Sequence, residues 1–363
     1  MAVWCPTKEH QGSASVELHF NLWRLPRRGI RRKFRTWKWR NAADFIEVGV
    51  LLDHPDQVTE ISIFLPFPVV STDVEDCGPR FREQKIAEGI FNENISVEIP
   101  PAQNGAYVEL KVNGGLFCRV HQFEKTREVI SSNHLTLTPI DQGTVLKITQ
   151  NAVEAAASGV LHGGKTYFRL RVNLPHASTS PFVQPVRPSD WALQSGFEAI
   201  ELINFRLNEM RTLPGSVQNS LRSNGAAANA KVRLVAFLAA VPVISDMTSS
   251  NTPSHKSRTL EADIWNNYVK DGLPEDVAVY HWKKSRDLVA GEDPIGDFSA
   301  FVKLKQRRAG LGTVAVYLLV AFVFGVLGNL TASWLEGQKA TVLGSQSEQA
   351  AVQQNSPDVA AGQ

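Results

Sequence analysis

A chain of 363 residues, 43 % apolar and 20 % charged, has the composition of folded protein and the length of one large or two ordinary domains. Its net charge of +2 excludes a chain that binds polyanions through bulk charge alone. Three widely spaced cysteines, Cys5, Cys77 and Cys118, with no CxxC or Cys/His spacing, point to neither a disulfide framework nor a zinc site and read as reduced thiols of a cytoplasmic compartment.

Residues 1–14 lack the apolar run of a secretory signal and are expected to be a flexible N-terminus. Period-two alternation then predicts strands at Ser15–Trp23, Phe45–Asp53, Thr59–Phe67, Ile95–Pro100, Ala106–Asn113 and Leu116–Phe123, and again at His134–Ile140, Gly143–Thr149 and Tyr167–Leu174. Asn113-Gly114-Gly115 and Asp141-Gln142-Gly143 supply turns, and Arg80–Asn92 is the one clear helix candidate. Many short strands at close spacing imply a mainly β domain over 15–175, an antiparallel sandwich or barrel-like fold with a few short helices.

The proline-rich stretch His176–Asp190 reads as a linker or long surface loop. A second β-rich part is expected over 191–308, either a separate domain or the completion of the first. In it, Gly196–Met210 is ambiguous between helix and strand, Gly215–Lys231 reads as a mobile loop, and Val232–Ile244 as a buried strand. Arg258–Lys270 has helical spacing through Leu260, Ile264 and Tyr268, and DVAVYHW and DFSAFVKLK read as a strand pair.

No charged residue occurs between Arg308 and Glu336. Leu311–Leu330 contains twelve Leu, Val or Phe residues in 20, which favour bilayer insertion by about 4–7 kcal/mol before Gly and Asn subtract. As a helix those residues span roughly 30 Å, the thickness of a bilayer core, so a transmembrane helix is predicted over 309–335. Lys303, Lys305, Arg307 and Arg308 precede it and Lys339 alone follows closely, so the positive-inside rule puts the soluble part in the cytoplasm. Trp334 falls where an interfacial anchor belongs, and the Gln/Ala/Ser-rich tail 336–363 is expected to be disordered. Ala321, Gly325 and Asn329 lie four apart on one helical face with Gly328 beside them, a pattern that permits close helix–helix contact or simply faces lipid.

Three segments invite a chemical reading. Gly159–Thr166 (GVLHGGKT) satisfies the GxxxxGK[ST] phosphate-loop pattern, but that chemistry needs a strand before the loop and a helix after it, and here a helix-prone segment precedes and a strand follows. From Arg24 to Arg40, nine of 17 residues are basic, with Trp23, Phe34, Trp37 and Trp39 among them. Arg27, Arg28, Arg31, Arg32, Lys33, Arg35, Lys38 and Arg40 could meet anionic lipid headgroups or nucleic acid, lipid being favoured of the two, or be a solvated loop. Asp73, Glu75, Asp76 and Gly78 faintly resemble a calcium loop, but Gln84 occupies the position of the bidentate Glu, so turn polarity is the better account. The nine histidines are dispersed and no GxSxG elbow occurs, so no catalytic or metal-binding set is read and no cofactor is called for.

The sequence therefore leads to a single-pass membrane protein with a cytoplasmic β-rich part that binds, senses or scaffolds without catalysis, its ligand or protein partner unspecified. One alternative is a membrane effector whose helices oligomerise and perturb the bilayer. The other is a nucleotide-dependent enzyme using Lys165 and Thr166.

Overall fold

Where apolar and polar residues alternate, the chain forms strands. The structure, a computed structural model, describes residues 1–8, 14–25, 29–31, 37–39, 44–100, 107–158, 164–175, 180–186, 198–223, 229–269, 272–273, 277–307 and 311–354, except for the side chains of 29–31, 37–39, 223, 307, 311–313 and 339–354. In chain order the elements are β1 (Ala2–Trp4), β2 (Ser15–Trp23), β3 (Gly29–Arg31), β4 (Trp37–Trp39), β5 (Phe45–Asp53), β6 (Ile61–Leu65) and β7 (Val74–Asp76). Helix α1 (Gln84–Phe91) follows, then β8 (Ser96–Glu98), β9 (Tyr107–Val112), β10 (Gly115–His121), β11 (Lys125–Thr126), β12 (Val129–Ile130), β13 (Leu135–Ile140) and β14 (Gly143–Ile148). Helix α2 (Gln150–Ala157) leads to β15 (Lys165–Asn173), β16 (Val183–Val186) and β17 (Glu198–Leu207), and α3 (Gly215–Ser223) to β18 (Lys231–Pro242), β19 (Ser245–Ser250) and β20 (Lys256–Thr259). The chain ends with α4 (Ala262–Trp265), β21 (Val277–Ser285), β22 (Phe298–Arg307) and α5 (Leu311–Gln354).

The protein is mainly β, 47 % strand against 25 % helix, built from several sheets with no closed barrel among the described residues. A ten-stranded sheet runs β20-β21-β18-β2-β5-β15-β10-β9-β8, with β7 also paired to β15. Two four-stranded sheets, β1-β6-β14-β13 and β16-β17-β22-β19, supply the opposing side chains. The large sheet is not wholly antiparallel, because β18 runs parallel to β2 and β10 parallel to β15. Each parallel pair is far apart in sequence, where no hairpin turn dictates direction.

Period two gives each central strand two faces. On one, Leu18, Phe20 and Leu22 of β2, Val48 and Val50 of β5, Phe168 and Leu170 of β15 and Val235 and Phe237 of β18 meet Ile61 and Ile63 of β6, Phe205 of β17 and Val302 of β22 in the main core. Phe205 lies against Phe237 with ring centroids 4.4 Å apart, at the join of the two layers. Each of these side chains contributes roughly 1.5–3 kcal/mol through burial. The other face is covered in part by α1 and the segment around α4. There Phe81, Ala87, Cys118 and Tyr167 form one cluster, and Trp23, Ile86, Trp265 and Tyr268 another.

Met1–Pro188 and Ala199–Gln306 form one compact unit, so the later strands complete the sheet begun by the earlier ones. Ser189–Glu198 with Arg307–Gln363 form the second unit, whose described part is dominated by α5. Within α5, Val314–Gln338 is 25 residues of mean hydropathy 2.2, long and apolar enough to cross a membrane, and none of its apolar window is buried.

Several segments depart from the sequence reading. Gly215–Ser223 is helical rather than a loop, because Val217 packs with Ala2, Trp4, Phe64, Val145 and Leu213. Arg258–Lys270 is not one helix. Lys256–Thr259 is captured as an edge strand by β21, and only Ala262–Trp265 is helical, with Trp265 buried. DVAVYHW and DFSAFVKLK both form strands but do not pair, since β21 joins β18 and β22 joins β19. Glu198–Leu207 resolves the ambiguous segment as a strand, and residues 183–186 of the proline-rich stretch form β16, paired to it. The C-terminal helix continues past Glu336 to Gln354, through Ala-, Gln- and Glu-rich sequence of high helix propensity.

Candidate ligand cleft

The outward face of the large sheet carries the polar residues that the central strands place at every second position. Register aligns them in rows across the sheet. One row runs Lys256, His281, Leu238, Asn21, Glu47, Arg171 and Glu75 across β20, β21, β18, β2, β5, β15 and β7. The next runs Lys283, Ala236, His19, Gly49 and Arg169.

At the middle of these rows is a buried ionic cluster. Glu47, fully buried, accepts from Arg169 Nη2 at 2.5 Å on one carboxylate oxygen and from Arg171 Nη2 at 2.8 Å on the other. Trp23 Nε1 donates to the same carboxylate at 3.3 Å. Arg169 also donates to the hydroxyls of Tyr167 and Tyr268, and Arg171 lies over the Phe45 ring, 4.1 Å from its centroid. Burial by itself pushes the Glu47 carboxyl up, but the two guanidiniums outweigh it and hold the group below the usual carboxylate range. Two buried cations share this one anion, and Glu75, half-exposed, offsets Arg171 from the rim at 3.5 Å.

Gly49 makes the cluster possible. A Cβ there would sit 2.1 Å from the Tyr167 hydroxyl, so only glycine leaves that oxygen room to meet Arg169.

Beside the cluster opens a cleft of about 490 Å³. His19, Asn21, Ala236 and Leu238 of the sheet contribute to its lining, with Gly89, Ile90 and Phe91 from α1 and Lys256, Arg258, His281 and Lys283 from β20 and β21. Arg258 Nη2 donates to the Gly89 carbonyl at 3.5 Å and so joins the edge of the sheet to the helix. Lys165, Arg169, Arg233, Lys256, Arg258 and Lys283 line it against two acids, Glu17 and Glu93. Glu17 is already engaged by Arg233 and His19. Among the described residues, no carboxylate lies within ion-pair distance of Lys165, Lys256 or Lys283. Burial, reinforced by His255, His19, Lys283 and Lys256, pushes His281 down to about 4. Phe91 and Phe117, half-buried, and Trp265, buried, add aromatic surface, and the Trp265 indole N–H has no hydrogen-bond partner among the described residues. A Cβ at Gly89 would stand 2.7 Å from the Trp265 ring, so glycine lets the indole approach α1.

The phosphate-loop lookalike is divided by the fold. Gly159, Val160, Leu161, His162 and Gly163 lie outside the described residues, α2 precedes them and β15 follows, the reverse of the order phosphate binding needs. Thr166 is fully buried and its hydroxyl donates to the Ala156 carbonyl, whereas Lys165 lines the cleft. Of the calcium-loop lookalike, Asp76 accepts from the backbone N–H groups of Gly78 and Phe123, and Glu75 pairs with Arg80 and Arg171. Asp76 is raised to about 6, burial outweighing those two bonds.

Of the basic segment, Arg27, Arg28, Arg32, Lys33, Arg35 and Arg40 lie outside the described residues. Arg31 and Lys38 are placed on the β3–β4 hairpin by backbone alone. Ala321, Gly325, Gly328 and Asn329 are all exposed on α5. The cleft residues of β2 and β21 carried a signal that a search for motifs misses: charged or imidazole side chains at alternate positions of strands whose intervening residues pack inward. Neither any known family model nor any curated protein compared with the chain matches it.

Proposed function

We propose that the protein is a non-catalytic, membrane-tethered sensor whose β unit binds a small anionic ligand in the cleft on the outer face of the ten-stranded sheet. The observation that carries this reading is the charge of that cleft, where Lys165, Lys256 and Lys283 have no carboxylate partner among the described residues and stand beside a buried two-to-one arginine–glutamate cluster. Its volume falls within the few hundred to about 1,000 Å³ typical of small-molecule sites. The apolar helix supports the tether, and the four basic residues from Lys303 to Arg308 support a cytoplasmic β unit. Titration calorimetry of the full chain in detergent micelles with inorganic phosphate and tripolyphosphate tests the reading. Saturable binding weakened about tenfold or more by Lys256→Glu and Lys283→Glu is expected, and binding of neither anion would sink it.

A second reading is favoured by the exposed small-residue face of α5. Ligand binding would gather the helices through Ala321, Gly325, Gly328 and Asn329 and perturb the bilayer. Dye release from vesicles containing the full chain should then depend on ligand and be lost in Gly325→Leu. Full release by that variant would remove the route.

A further inference from the structure

The anion-binding cleft also carries features that a site for a bare inorganic anion would not need. Phe91 and Phe117 present half-buried rings that meet edge to face with centroids 5.1 Å apart, and His19 lies 6.1 Å from Phe91. Trp265, only 3 % exposed, is one of the residues lining the same cleft, and its buried indole N–H has no acceptor among the described residues. A buried N–H donor left unmet costs free energy comparable to a lost hydrogen bond, so a ligand acceptor at that point would recover it. Indole only donates, and the ring nitrogens of a nucleobase that carry no hydrogen, like its carbonyls, accept. Asn92 adds an amide, which both donates and accepts, to the same lining. Aromatic faces, an amide and unpaired cations together match a ligand with a planar heterocycle and phosphate, not phosphate alone.

We propose that the cleft binds a mono- or dinucleotide, with its phosphates against Lys165, Lys256 and Lys283 and its base against Phe91, taking up the Trp265 indole N–H. The inference rests on the reading of the cleft as an anion site. Arg258, bridging from β20 to the Gly89 carbonyl, keeps the walls at one separation and bounds the ligand as a small molecule rather than a continuous strand of nucleic acid. Ala236 on β18, a small side chain in the cleft lining, keeps the floor of the cleft low beneath a base and ribose.

The test uses full-length protein in detergent micelles and equilibrium titration with the four ribonucleoside triphosphates, linear and cyclic dinucleotides, inorganic tripolyphosphate and adenosine. At least one nucleotide should bind about tenfold or more tightly than both tripolyphosphate and adenosine. Lys283→Glu, an exposed strand position, should lower affinity for nucleotide and tripolyphosphate alike. Trp265→Phe, which keeps a ring and removes the N–H, should lower nucleotide affinity about five- to tenfold while leaving tripolyphosphate unchanged. If tripolyphosphate binds as tightly as every nucleotide, the nucleotide inference falls and the anion site stands. If no probe binds, both fall. Should Trp265→Phe not fold, Phe91→Leu on the half-exposed wall decides the same question, since loss of nucleotide affinity without loss of tripolyphosphate affinity is expected there too.

Discussion

Glu47 is the residue on which the outer face of the sheet depends. Glu47→Gln would leave Arg169 and Arg171 buried without their counter-charge, and a loss of about 3–5 kcal/mol in denaturant unfolding is expected. Its pKa is depressed in the folded state, so its contribution is present above the ordinary carboxylate value and is lost as pH falls through the folded one. Stability should therefore drop on acidification below about pH 4.5, and that part of the slope should be missing in Glu47→Gln. His281 predicts the opposite kind of coupling, on binding rather than folding. With His255 just before β20, Lys256 on β20, Lys283 on β21 and His19 on β2 around it, its pKa is about 4 in the free protein, and an anion in the cleft would raise it. Binding then takes up a proton, and calorimetry near pH 5 in buffers of different ionisation enthalpy should detect the uptake. The same heat in every buffer would contradict the placement of the anion beside His281.

At the scale of elements, the central strands were legible because each must bury one full face. Ser15–Trp23 and Phe45–Asp53 match β2 and β5 residue for residue, since every second position along them is apolar and only Trp23, Phe45 and Leu51 put large apolar side chains on the other face. Glu47 in such a strand was itself a signal, one that makes sense only when Arg169 and Arg171 arrive opposite it from a strand more than a hundred residues away. Gly49 shows the same dependence. Gly49→Ala would force the Tyr167 hydroxyl off Arg169 in a packed interior, and a loss of about 1–3 kcal/mol in the denaturant midpoint is expected. The helical spacing of Arg258–Lys270 overlaps a strand at Arg258 and Thr259, because the side chains of Lys256–Thr259 are all exposed and the strand is imposed by the free edge of β21. The segment Gly215–Ser223 is equally plain in sequence, and Val217 with Leu221 one turn on anchors it as a helix.

For the whole molecule, orientation and assembly remain properties of the apolar helix and its flanks. Protease added outside sealed vesicles should spare the β unit if Lys303–Arg308 lies on the enclosed, cytoplasm-equivalent face, and digestion of that unit would reverse the assignment. By itself the sequence determined the mainly β class, most strand positions and the single long apolar helix, because these follow from local periodicity and run length, which each segment carries within itself. Only the tertiary structure decided the cleft. Its residues run from Glu17 to Lys283 and meet because β18 lies parallel to β2 and β20 closes the edge, pairings set by the burial of both faces of the sheet together. A charge on one strand becomes part of a site only when register brings its partners into the same row, and register is a property of the assembled sheet.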